Sequence, residues 1–242
     1  MNELNQNNKV KGVVDIVFLL DVTGSMQHCI DALKTNISSF IDMLTTKGIN
    51  NDSPVKNWRA KVVGYRDWKH DKEYFVDNPF VEDSAVLKQQ LNGLKAEGGG
   101  DEPESLLEAL FKVANMESTE KDAQPEPSKW RYRREAARVV VAFTDATFHP
   151  VMEEPKGGKV EDVITTLHAN RILLSLYAPD MDCHADLSAA DKSEYRPIPY
   201  DTSSDTGAQE ALADFTKDQA NFKKTMEMLA KSVSASSHTD IL

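Results

Sequence analysis

Apolar residues along the chain follow two rhythms. VVDIVFLLD (13–21) and ARVVVAF (137–143) are nearly unbroken aliphatic runs bounded by polar turns, and they read as strands buried on both faces. WRAKVVGY (58–65) and RILLSLY (171–177) are further strands of the same kind. Between the first two, Met26, Ile30, Leu33, Ile37, Phe40 or Ile41, and Leu44 recur at helical steps through Gly48, which closes the stripe. Further stripes fall on Val86, Leu87, Leu91 and Leu94 (84–94, with Ser84 as N-cap) and on Leu106, Leu107, Leu110, Phe111 and Ala114, opened by Pro103. Two later helices carry Val160, Val163, Ile164 and Leu167, then Phe222, Met226, Leu229 and Val233. Residues 73–80, interrupted by Pro79, suit an edge strand. Strand and helix alternate, which predicts an α/β fold: a doubly wound (Rossmann-like), mostly parallel central sheet with helices on both faces and one short antiparallel edge strand.

The remaining segments lack either rhythm. Residues 1–12 and 234–242 are polar and read as a flexible leader and tail around a single domain, 13–233. Residues 117–129 are charged and proline-containing, a surface loop, and 179–207 read as a long loop over the carboxyl ends of the strands. The basic aromatic stretch WRYRR (130–134) reads as an anchoring tryptophan with solvated arginines.

Charge and composition narrow the classes of partner. The 242 residues carry 28 basic and 39 acidic side chains, a formal charge of −11, which disfavours nucleic acid and anionic membranes and suits cations or basic partners. The two cysteines, Cys29 and Cys183, form no disulfide framework, and Cys29 falls on the apolar stripe of the first helix. No apolar run approaches the ~18 residues of a membrane helix, and the leader is no signal peptide, so a cytoplasmic protein is expected.

The chemistry lies where strands stop. The first run ends in Asp21-x-Thr23-x-Ser25 around Gly24, three oxygen donors at the carboxyl end of a central strand, where ligands of open parallel sheets bind. The run 137–143 also stops at an acid, Asp145, and parallel neighbours would bring it beside Asp21. A glycine loop, EGGGDEPE (97–104), places Asp101 just before a helix. The positive end of the first helix would repel a bare cation, so side-chain oxygens must hold one. Asp67, at the end of the second strand, is expected to reach the rim of the site, and His149 to lie on the loop 149–158. There is no GxGxxG and no phosphate-binding loop, and the adjacent Cys183 and His184 have poor zinc spacing.

In order and spacing, DVTGSM, GGGDEPE and FTDA resemble the motifs of a von Willebrand factor type A domain over residues 13–233, of the stand-alone, intracellular, bacterial style. The resemblance implies a metal-ion-dependent adhesion site in which Asp21, Thr23, Ser25, Asp101 and Asp145 hold Mg²⁺, with Mn²⁺ or Ca²⁺ as alternatives. It further implies a protein-binding module without catalysis, which captures an acidic side chain of a protein partner at the metal inside a multiprotein assembly. Direct ligation by Asp101, where integrin-type members supply a threonine, would lower the ion's attraction for that carboxylate. Two alternatives remain open on the residues alone. One is a Mg²⁺-dependent phosphotransferase with Asp21 as nucleophile, disfavoured because Thr23 stands where such enzymes carry a second acid. The other is a metal-free scaffold in which these acids cap helices and loops.

Overall fold

The computed structural model describes residues 12–46, 55–100, 102–191 and 193–238. Its organising strand is β1 (Val13–Asp21), in which every residue after Val13 is buried. Such a strand must be covered on both faces and paired on both edges. β2 (Asn57–Tyr65) and β4 (Ala137–Phe143) flank it, both parallel to it, with Asp21 opposite Tyr65 and Leu20 opposite Phe143. β3 (Phe75–Asp77), β5 (Ile172–Pro179) and β6 (Glu194–Ile198) complete a six-stranded sheet of order β3-β2-β1-β4-β5-β6, antiparallel only at β3. The α/β sheet with a short antiparallel edge is the expected one.

Alternate residues of β1 feed two cores. Val14, Ile16, Phe18 and Leu20 face α1 (Gln27–Thr45), α2 (Ser84–Gly93), α6 (Gly207–Lys217) and α7 (Gln219–His238). Val17 and Leu19 face α3 (Leu106–Ala114) and α4 (Val160–Asn170). Phe18 meets Phe40 of α1 edge-on at 5.6 Å, which locks the first helix onto the first strand.

Several details differ from the expectations, each for a local reason. α2 is capped by Asp83, whose carboxylate accepts from the Ala85 N–H at 2.7 Å, in place of Ser84. α3 begins at Leu106 after Ser105, so Pro103 precedes it. The segment 179–207 is no plain loop: it holds the short α5 (Asp182–Asp186) and the edge strand β6, whose proline and exposed residues hide the strand pattern. α7 continues through Ser234 and Ser237, both buried, to His238, where a polar tail is expected; residues 239–242, like 1–11 and Gly48, lie outside the described residues. Trp130 anchors as expected, donating its indole N–H to Val113 O at 3.0 Å, but Arg131 beside it is buried rather than solvated. Arg131 and Arg59 converge on the fully buried Asp15, which Arg59 grips with two bonds of 2.8 Å and which accepts the Arg131 backbone N–H at 2.7 Å.

Candidate metal centre

The parallel pairing of β1 with β4 sets the acids that follow them side by side. Asp21 is fully buried. Its Oδ1 accepts the Thr23 backbone N–H at 2.9 Å and the Thr23 hydroxyl at 2.7 Å, and its Oδ2 accepts the Thr144 hydroxyl at 2.9 Å. The Thr23 proton is therefore directed inward, which leaves the lone pairs of its oxygen for the cleft outside. Beyond Thr23 the chain makes one tight 3-10 turn, Gly24–Met26, that brings Ser25 onto the same cleft and leads into α1.

Asp145 is 1% exposed, takes a hydrogen bond from Ser25, and keeps an Oδ2 without a partner among the described residues. Burial, then the neighbouring Asp21, pushes its carboxyl up to about 7. Glu104 is 5% exposed with its Oε2 likewise without a partner among the described residues, and burial, then Asp21, Asp67, Asp71 and Asp145, push it up to about 9. Burial also raises Asp21. Thr23, Ser25, Gly99, Glu104 and Asp145 line one cleft of about 340 Å³. The glycine loop closes tightly on it: Gly99 has φ +98°, and a Cβ there would lie 2.6 Å from Glu104 Oε1 and 2.8 Å from Thr23.

Thus Asp21, Thr23, Ser25 and Asp145 converge, whereas Asp101 lies outside the described residues. Glu104 and Thr144 are the site residues that the sequence reading passes over. Glu104 was visible as the glutamate closing GGGDEPE, and its backbone N–H, bonded to Thr147 O at 2.8 Å, ties that loop to the turn after β4. Asp67 is fully buried, accepting the Lys69 N–H at 2.8 Å and the Ser105 hydroxyl at 3.1 Å, with His149 Nε2 at 3.4 Å. Asp67 and His149 therefore face each other rather than the rim, and neither lines the cleft. His184 is fully buried, its ring nitrogens 3.0 Å from Pro179 O and 3.1 Å from Ala146 O, so it braces the turn after Asp145.

Among the described residues no group of three or more His, Cys, Asp or Glu side chains is arranged to hold a metal. The donors at the cleft are of another kind: the hydroxyls of Thr23 and Ser25 with the carboxyls of Asp145 and Glu104. Two buried carboxyl oxygens without partners beside two hydroxyls fit a hard, oxygen-preferring cation, and offer no soft ligand.

Residues 15–123 match the von Willebrand factor A domain family model, a stretch that holds Asp21, Thr23, Ser25 and Glu104 and stops short of Asp145. The match supports a domain of this type, and such domains commonly mediate protein–protein interaction. Among solved structures, the chain is similar to proximal thread matrix protein 1 from the mussel byssus, at 12% identity and a TM-score of 0.56, over 94% of this chain and 49% of that one. The chain thus spans about half the length of that protein, and the likeness is one of fold. No curated protein matches the sequence. No helix among the described residues is long and apolar enough to cross a membrane.

Proposed function

We propose that the chain is a protein-binding module whose cleft holds one Mg²⁺, or a similar divalent cation, and uses it to capture an acidic side chain of a protein partner. The observation that carries this reading is the pair of buried carboxyl oxygens without a partner among the described residues, Asp145 Oδ2 and Glu104 Oε2, belonging to residues that line a cleft with Thr23 and Ser25. Unpaired buried carboxyls are costly, and a cation removes that cost. Bound there, the ion supplies an electropositive coordination position for an outside carboxylate. The chain's own residues do the rest. Asp21 orients Thr23, Thr144 holds Asp21, and the glycine loop keeps Glu104 against Thr23. Asp101 belongs to this proposed set through its place in the glycine loop.

A binding role without catalysis is favoured by the state of Asp21. Both of its oxygens accept hydrogen bonds and it has no exposed surface, a poor arrangement for a nucleophile. The test is capture of partners by immobilised protein in Mg²⁺, in chelator, and with Thr23→Ala. Partners retained in Mg²⁺ and lost in both other arms support the reading; partners indifferent to chelator and mutation favour a metal-free scaffold. Mg²⁺-dependent hydrolysis of a phosphate ester that vanishes in Asp21→Asn would replace it with the enzyme reading.

A further inference from the structure

On the α3 face of the sheet, away from the cleft just described, a second cavity of about 540 Å³ opens between α3 and the edge strand β3. Its walls include Trp68, Phe75 and Phe111, together with Glu108, Lys112 and Glu154. Trp68 packs against Tyr74 at 4.5 Å and against Phe75 at 5.7 Å between ring centroids, which makes a cluster of three rings. That cluster already receives a cation: the Lys112 ammonium lies 4.4 Å from the centre of Phe75 and 5.9 Å from those of Trp68 and Tyr74. Two polar groups at the wall are left over. Among the described residues, Glu108, 1% exposed, has an Oε2 without a hydrogen-bond partner, and the Trp68 indole N–H has none. Two of the other acids at the cavity, Asp77 and Glu117, pair with Lys61 at 2.5 Å and Lys129 at 3.2 Å.

An aromatic cluster that holds an ammonium, beside a buried carboxyl with a spare acceptor and the further acid Glu154, is chemistry suited to an organic cation. We infer that this cavity is a docking site for a basic side chain, arginine foremost, presented by a partner protein. The guanidinium stacks on Trp68 and Phe75 in the place Lys112 now fills, with Glu108 Oε2 as acceptor for its N–H groups; the flexible Lys112 side chain swings outward to solvent. The net charge of −11 favours the approach of such a segment. The inference stands apart from the metal reading, because none of the residues at this cavity lines the metal cleft.

The test follows the three tryptophan indole N–H signals by NMR in the full chain while a pentapeptide, acetyl-Gly-Arg-Gly-Arg-Gly-amide, is titrated in; Trp68→Phe assigns the Trp68 signal. Trp130 donates its indole to Val113 O and serves as an internal control. The expected result is a saturable shift of the Trp68 signal, with the Trp130 signal still, no response to the same peptide with citrulline for arginine, and at least tenfold weaker binding in Glu108→Gln. If that variant does not fold, judged by loss of the Trp130 signal, Glu154→Gln carries the same comparison with a severalfold loss expected. No shift of Trp68, an equal shift with citrulline, or undiminished affinity in the folded acid variant overturns the inference. Chelator in the buffer leaves the shift unchanged, so failure here and failure of the metal site are read separately.

Discussion

At the scale of single residues, the cleft disfavours the charged forms of its carboxyls. Asp145 moves from an ordinary 3.8 to about 7 and Glu104 from 4.5 to about 9, both raised first by burial. A raised carboxyl holds its proton in the folded chain at pH values where the unfolded chain has lost it, so stability falls as pH rises between the two values. Protein in chelator is therefore expected to lose thermal stability steadily from about pH 5 to about pH 9, read as Tm. Saturating Mg²⁺ should flatten or reverse that slope, because the cation favours the deprotonated forms. Glu104→Gln should remove much of the slope in chelator while weakening the response to Mg²⁺. Gly99 is the complementary case. With φ +98° and both Glu104 and Thr23 inside normal contact of a Cβ, Gly99→Ala is expected to cost about 1–3 kcal/mol in denaturant unfolding and to weaken Mg²⁺ binding.

Elements carry the part of the account that was most legible in the sequence. β1 and β4 announced themselves because a strand buried on both faces is apolar along most of its length, and the helical stripes of α1, α3 and α4 because each covers one face of the sheet. β6 and α6 were hidden: β6 carries Arg196 and Pro197 on an exposed edge, and α6 buries only Gly207, Leu212 and Thr216, too few for a stripe. Of the expected ligands, Asp21, Thr23, Ser25 and Asp145, which converge at the ends of β1 and β4, were legible because they follow apolar runs. Glu104 and Thr144 lie inside the motifs GGGDEPE and FTDA, but their part in the site depends on the approach of the glycine loop to Thr23 and on the pairing of β1 with β4, which no local pattern encodes. Asp15 is a further case, a charge inside an apolar run whose partners Arg59 and Arg131 stand 44 and 116 residues away. Asp15→Ala leaves these arginines buried without their carboxylate and is expected to destabilise the chain by about 3–5 kcal/mol. Phe18→Ala, which opens the contact with Phe40, should cost a similar ~3–5 kcal/mol through lost packing. Equilibrium urea unfolding checks both, with Mg²⁺ titration of the folded Phe18→Ala variant expected to remain normal.

For the whole molecule, the two proposed recognition chemistries lie at separate places around the sheet. One end presents the cleft beyond β1 and β4, suited to a cation and through it to an acid; the α3 face presents the aromatic cavity, suited to a base. A partner carrying both signs of charge would engage both, and linking two sites in this way raises affinity without new contacts. The proposed function at the cleft depends on the cation. The most direct measurement is calorimetric titration of Mg²⁺ into the full chain and into Asp145→Asn, with circular dichroism to show that both are folded. The account predicts one saturable site in the natural sequence, a gain of ~2.7 kcal/mol in stability at a hundredfold excess over Kd, and loss of both in the variant. Absence of Mg²⁺, Mn²⁺ and Ca²⁺ binding to the natural sequence, or Mg²⁺ binding unchanged by Asp145→Asn, would contradict it.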